Sequence, residues 1–323
     1  IAGDGCLMEG ISHEAASLAG HLGLGRLVCV FDDNKITIDG STALTCSDDV
    51  AMRFRSYGWH VEDIGESADD LDALEAALLR AKAVEDRPSL VVLHSHIASP
   101  SPDHTDNHEA HGNPFTKEDA SRTKAVMGIP DEPYWAPQDV VQACRAAAAA
   151  NGREHRAAWE QRLAHSGLDR AAWEAAWGTG ATSGWEALLP TFAEGESIAT
   201  RVAVQKALTA ALPGLPGLLA GAADLTGNTG VKLGLPTQSS STPDGRQVFY
   251  GIREHAMGAA MVGMALHGGA LPVGGTFFVF ADYLRPSLRL AALSGAKAWF
   301  VFTHDSVGVG EDGPTHQPVE HLA

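Results

Sequence analysis

Leu27-Val28-Cys29-Val30-Phe31, running on into Asp32-Asp33-Asn34-Lys35-Ile36, is the stretch that decides the fold. A short apolar run without polar alternation fits a strand covered on both faces, as in a parallel sheet. Upstream, Glu9 to Leu22 places Ile11, Ala15, Leu18, Ala19 and Leu22 at helical spacing. Downstream, the pattern predicts a helix over Val50 to Tyr57, a strand over His60 to Ile64, a helix over Ala68 to Ala83 and a strand over Ser89 to Leu93. Alternation of this kind implies an α/β fold, a parallel sheet flanked by helices.

The chain then changes character. An Ala-rich helical appendage is expected over about 138–177, with Trp135, Trp159, Trp173 and Trp177 in or beside it. Residues 178–197, rich in Gly, Thr, Ser, Pro and Glu, read as a linker. A second α/β pattern follows over 198–323: helix Ala199 to Ala211, strand Leu218 to Ala223, a Ser/Thr/Gly-rich loop over 226–245, helix Glu254 to His267, strand Thr276 to Phe280, helix Asp282 to Leu293 and strand Ala298 to Thr303. The expected organisation is a first domain over 1–177, the linker, and a second domain over 198–323.

Composition narrows the function classes. With 23 Lys and Arg against 40 Asp and Glu among 323 residues, the net charge is −17. Such a chain repels phosphate backbones and anionic lipid, so nucleic-acid and membrane partners are not expected. Four cysteines without a C-x-x-C pair suggest neither a disulfide framework nor a zinc ribbon, and fit a reduced, cytoplasmic setting. Ala256 to Ala281 carries no charged residue. Its six glycines and Pro272 argue for a buried helix, a turn and a strand rather than a membrane span. The chain opens on Ile1 and reaches Gly3-Asp4-Gly5 where a strand end is expected. It stops at a helix start after Gly313-Pro314-Thr315-His316-Gln317-Pro318, so a piece of a longer protein is expected, lacking the N-terminal start and the C-terminal part.

Several constellations could carry chemistry. Asp4, flanked by Gly3 and Gly5, and Asn34 thirty positions later offer a carboxylate and an amide oxygen at neighbouring strand ends. That donor set suits Mg²⁺ with phosphate oxygens completing its shell, and the glycines let backbone N–H groups approach a diphosphate. The alternative is an Asp-Gly turn beside a polar loop. Between His94 and His111 stand five of the fifteen histidines, His94, His96, His104, His108 and His111. Zinc ligation, substrate contact and plain solvation are all open to them. Glu254 opens an otherwise apolar helix, where burial would raise its pKa as acid–base work requires. Phe277, Phe280 and Tyr283, three apart, are either core aromatics or a platform for a flat heteroaromatic ring beside that carboxylate. Arg201, His304, Asp312 and His316 suit a polyhydroxylated anionic substrate, although Arg201 alone could be a surface residue.

Together these stretches resemble the transketolase family of thiamine-diphosphate enzymes. The likeness runs through GDGCLMEGISHEAASLAG from position 3, FDDNKITIDG from 31, AHGNP from 110, GIREHAMGAA from 251, LHGG from 266, TFFVFADY from 276 and THDSVGVGEDGPTHQPVEHLA from 303. Deoxyxylulose-phosphate synthases and pyruvate dehydrogenases share the GDG and Asn logic but not the GEDGPTHQP stretch. The resemblance implies two thiamine-diphosphate-binding-type domains, a diphosphate (PP) domain and a pyrimidine (Pyr) domain. It implies Asp4, Asn34 and the Ile36 carbonyl as ligands of Mg²⁺, with Ca²⁺ or Mn²⁺ as substitutes, and Gly3 and Gly5 beside the diphosphate. Glu254 would face the aminopyrimidine nitrogen and promote the thiazolium ylide, with Phe277, Phe280 and Tyr283 lining that ring's pocket. His111 and His316 would serve catalysis and touch substrate; Arg201 and His304 would bind the terminal phosphate and Asp312 a sugar hydroxyl. Asn228 stands where the family commonly has a serine that helps hold phosphate. The implied reaction moves a two-carbon ketol unit between phosphorylated ketose and aldose sugars, in the pentose phosphate pathway or Calvin cycle. The implied assembly is a homodimer with active sites at the subunit interface. A formaldehyde-using dihydroxyacetone synthase and a catalytically silent fragment of transketolase are the alternatives.

Overall fold

The computed structural model describes residues 1–322. In the first domain β1 (Ala2–Gly3), α1 (Asp4–Met8), α2 (Gly10–Leu22) and β2 (Val28–Asp33) lead to a small hairpin of β3 (Ile36–Thr37) and β4 (Gly40–Ser41). Then come α3 (Val50–Ser56), β5 (His60–Asp63), α4 (Leu71–Ala83) and β6 (Ser89–His94). The main strands are parallel in the order β1-β2-β6-β5, with Gly3 opposite Asp32 and Asp33 opposite His94. This register puts Asp4, Asn34 and Ser95 at one carboxyl-terminal edge, where open α/β sheets bind ligands. Behind that edge Leu7, Ala16, Phe31, Phe54, Trp59 and Leu90 form the core, and the Trp59 indole N–H donates to the Ala16 carbonyl at 2.8 Å.

Beyond β6 lie α5 (Lys117–Met127), α6 (Gln138–His165) and α7 (Arg170–Trp177). None of the three contains a buried residue. The stretch read as a linker is anchored: Ala181 and Trp185 pack on the core of the second domain. That domain comprises α8 (Thr200–Ala211), β7 (Leu218–Ala222), β8 (Gln247–Phe249), α9 (Glu254–His267), β9 (Leu271–Phe277), α10 (Ala281–Ser294) and β10 (Trp299–Thr303). Its parallel sheet runs β10-β9-β7-β8. Leu18 of α2 is buried in one cluster with Val248, Tyr250, Met257, Met261 and Leu284, so the two domains share apolar packing.

Local readings differ from the structure at two further places, and two elements are additional. Asp4 begins a helix where a turn was expected, and an acidic residue in a first helical turn is favoured by the backbone dipole. The strand expected over Thr276 to Phe280 instead covers Leu271–Phe277, and a 3₁₀ turn takes Phe278–Phe280. Pro272 fits because the Leu271 N–H donates to Gly217 beside β7, so the next residue's N side faces β10, which begins only opposite Val273. Gly274 and Gly275 are demanded by close approach: a Cβ there would lie 2.2 Å from Met261 Sδ and 2.4 Å from Thr229 Oγ1. Helix α5 and strand β8 are additional elements. Among the described residues no helix is long and apolar enough to cross a membrane.

Candidate active site

Asp4 sits where β1 passes into α1, nine-tenths buried. The backbone N–H groups of Asn34 and Lys35 both donate to its Oδ2, each at 3.2 Å, leaving Oδ1 for a cation. The Asn34 Oδ1 accepts the Ile36 N–H at 3.0 Å, a local turn that aims the side chain back at its own loop. Burial pushes the Asp4 carboxyl above the usual range and the neighbouring Asp33 charge adds to it, while the two N–H groups and Lys35 pull it down. A bound cation would relieve this strain on the ionised form. At Gly5 an added Cβ would meet nothing within 4 Å, so packing does not demand the glycine and the space beside it is open. A buried carboxylate with one oxygen free, beside the open space at Gly5, fits a hard divalent ion whose remaining shell a diphosphate would complete. His111 lies exposed on a short turn, His108–His111, that packs beside β3 and so stands on the same side as Ile36.

The second group forms at the opposite domain's strand ends. Glu254 is the first residue of α9 and is buried; the Thr276 hydroxyl donates to its Oε1 at 3.4 Å. Burial raises its pKa; its own N–H and Thr276 oppose the shift, and the charges of Glu14 and Asp224 reinforce it. From the end of β9, Phe277 stacks on Phe280 with ring centres 5.9 Å apart, and Phe280 meets Tyr283 at 6.0 Å. Phe277 and Phe280 are wholly or partly buried, whereas Tyr283 is largely exposed. His304 lies 3.8 Å from Phe277, and His316 lies 5.3 Å from Phe280, between ring centres.

Burial lowers the His304 pKa and the Arg201 charge lowers it further; Asp312 and Asp305 oppose this and His316 adds to it. The same electrostatic neighbourhood therefore contains Arg201, His304, Asp312 and His316, drawn from α8 and from the segment after β10. Asn228 is exposed on the loop after β7. That loop runs against the first turn of α8: Gly230, at φ +76°, would place a Cβ 2.2 Å from the Arg201 carbonyl oxygen. Three of the other histidines between His94 and His111 face carboxylates. His94 pairs with Asp33 at 2.9 Å, His96 with Asp106 at 2.9 Å, and His104 with Asp119 at 3.3 Å. Among the described residues no three His, Cys, Asp or Glu side chains assemble a metal-holding group.

Two acidic residues escaped the sequence reading. Asp33, only 4% exposed, receives Lys35 Nζ at 2.6 Å as well as His94. Glu14 of α2 accepts the Ala256 N–H at 2.9 Å, capping the first turn of the helix that Glu254 opens. Arg253 supports the same junction by donating to Ser17 Oγ at 3.1 Å. The Asp33 site had a signal in Asp32-Asp33-Asn34, a doubled carboxylate after a buried strand. Glu14 had none, since its partner lies 242 positions away.

Comparison with known proteins places this geometry. The family model described as transketolase, thiamine diphosphate binding domain, matches residues 1–177, and transketolase, pyrimidine binding domain, matches 196–323. Transketolase from Cereibacter sphaeroides is 45% identical over 100% of the chain and 49% of its own length. That from Geobacillus stearothermophilus is 42% identical, again over 100% of the chain and 49% of its own length. Among solved structures, transketolase from Leishmania mexicana superposes with TM-score 0.93 at 40% identity, covering 99% of the chain and 48% of that protein. A Pichia stipitis transketolase in complex with sedoheptulose 7-phosphate gives TM-score 0.92 at 38% identity, covering 99% and 49%. The chain thus spans about half the length of the curated relatives it matches. Two family models that account for nearly all of its residues, joined to a likeness in three dimensions, show that the chain belongs to the transketolase family.

Proposed function

We propose that the chain carries the cofactor-binding and reacting groups of a transketolase. The reaction is reversible transfer of a two-carbon ketol unit from a ketose phosphate such as xylulose 5-phosphate to an aldose phosphate such as ribose 5-phosphate or erythrose 4-phosphate. The observation that carries this reading is Glu254, buried and with its pKa raised by that burial at the head of α9, in the domain that also brings together the stacked Phe277 and Phe280 rings and the His304 and His316 imidazoles. When bound, thiamine diphosphate supplies a carbon nucleophile and a sink for the electron pair released as the donor sugar breaks.

This chain's residues supply the rest. Asp4, Asn34 and the Ile36 carbonyl would hold Mg²⁺, or Ca²⁺ or Mn²⁺ in its place, and Gly3 and Gly5 leave room for the diphosphate. Glu254 holds a proton for the pyrimidine nitrogen, Phe277 and Phe280 clasp the ring faces, and Tyr283 borders them. Arg201 and His304 would donate to the terminal phosphate, Asn228 offers an amide donor on the neighbouring loop, and Asp312 would accept from a sugar hydroxyl. His111 and His316 move protons at the substrate oxygens. The Pichia stipitis relatives include complexes with xylulose 5-phosphate and sedoheptulose 7-phosphate, substrates of the class proposed.

A homodimer belongs to the same reading. The cavity that Asp4 lines is bounded by Asp33, Lys35, Cys46, Asp48 and Arg53 of the first domain, without Glu254 or the aromatic platform. A complete site would join the diphosphate half of one subunit to the pyrimidine half of another. A cytoplasmic setting, with the reaction serving pentose phosphate interconversion, accords with four unpaired cysteines.

The test is a coupled assay with xylulose 5-phosphate as donor, ribose 5-phosphate as acceptor, thiamine diphosphate and Mg²⁺. Turnover with the pentose is expected. Turnover with formaldehyde alone would assign a dihydroxyacetone synthase. Calorimetric titration with thiamine diphosphate and Mg²⁺ separates an assembled site from a silent one.

A further inference from the structure

Arg53 of α3 touches none of the residues assigned above, yet its guanidinium is 13% exposed and reaches three elements around Asp4. Nη2 donates to the Leu7 carbonyl at 2.9 Å, in the last turn of α1. Nη1 lies 3.3 Å from Asp48 Oδ2, just ahead of α3, and 3.3 Å from His13 Nε2 on α2. The stem is fixed because Phe54, the next residue, is in the core and lies under the guanidinium at 5.7 Å. Helix α1 has five residues, too few to be stable by its own hydrogen bonds, and no side chain caps its start. Its position therefore depends on the Leu7 side chain in the core and on what grips its far end. Ser12 Oγ donates to the same Leu7 carbonyl at 3.0 Å, so Arg53 and Ser12 grip it together.

A second observation ties Arg53 to the metal loop. Arg53 Nε and Asp33 Oδ1 are both buried without a partner among the described residues. Both residues line, with Asp4, Lys35 and Cys46, a cavity of about 50 Å³. That volume is polar and large enough for an ordered water. Arg53 thus borders Asp4 from two directions, through the helix that Asp4 begins and through the cavity that Asp4 lines.

We infer that Arg53 is a positioning residue that holds α1, and with it the Asp4 carboxylate, in the attitude that binds the divalent ion. The inference rests on the cofactor reading above for its consequence and on the contacts of Arg53 for its cause. Lysine could keep the charge but not the planar fork that serves Leu7 and Asp48 together.

Two measurements on the full chain decide it. In amide hydrogen exchange without added ligand, Arg53→Met should speed exchange across Asp4–Met8 about tenfold while β6 is unchanged; Arg53→Lys should fall between, and Arg55→Met on the same helix should match the parent. In calorimetric titration with Mg²⁺ at saturating thiamine diphosphate, the Mg²⁺ midpoint should rise about tenfold in Arg53→Met and about threefold in Arg53→Lys, with stoichiometry kept. Parent-like exchange across Asp4–Met8, or Mg²⁺ midpoints within twofold of the parent, would overturn the inference. Should Arg53→Met fail to fold, Arg53→Lys decides by the same criteria. A parent that binds no cofactor would sink the functional reading, while the exchange comparison still judges Arg53.

Discussion

Burial raises the Glu254 pKa and makes the ionised carboxylate a burden on the fold. Glu254→Gln keeps the shape and removes the acid, so kcat should fall by about 10²–10⁴-fold, as for loss of a general acid–base group. Its stability should change in a pH-dependent way. The parent's folded state binds this proton more tightly than the unfolded chain does, with an ordinary value of 4.5 for the free group. The parent therefore loses stability as pH rises from 4.5 through the raised folded pKa. Glu254→Gln should melt higher than the parent at pH 8, the gap closing toward pH 4.5, by calorimetry across that range. Arg201 acts on His304 in the opposite sense, favouring the neutral ring. In Arg201→Gln the His304 resonance should titrate at higher pH by NMR, and KM for a phosphorylated acceptor should rise about tenfold or more. The pairing of Glu254 with an apolar helix was readable from sequence, because a charge opening such a helix is chemically anomalous. The Glu14 cap was not, because hydrogen bonding across two domains leaves no periodic trace.

Among the elements, the loop after β7 shows how backbone proximity sets Arg201, the residue proposed to bind phosphate. Gly230 lies against the Arg201 carbonyl with a positive φ, so Gly230→Ala is strained both by conformation and by contact. It should lose about 1–3 kcal/mol in urea unfolding and weaken phosphate recognition by displacing the first turn of α8. The alternation of apolar runs and amphipathic helices made most of the two sheets legible in advance. Strand β9 is hidden in the sequence because Pro272 and Gly274-Gly275 carry turn signals, and only the neighbouring strands and Met261 explain why a strand tolerates them. Helix α5 did have a local sign, the Thr116 to Asp119 capping box, which forms as that spacing allows. Strand β8 is three residues at a sheet edge, too short for alternation to register.

For the whole molecule, the proposed homodimer, with the two halves of a site on different subunits, predicts complementation. Asp4→Asn and Glu254→Gln should each be inactive alone. Co-expressed, their mixed dimers should gather both lesions into one site and leave the other intact, restoring about a quarter of parental activity under random pairing. No recovery would place both halves of the site within a single subunit. The shared cluster around Leu18 bears on heat as well as on assembly. Two domains with separate cores would melt in two calorimetric steps. Here a side chain of α2 is part of the packing around Met257 and Met261, and Glu14 completes the hydrogen bonding of α9. Loosening the first domain therefore strips the second of both contacts, so the chain should absorb heat in one cooperative transition.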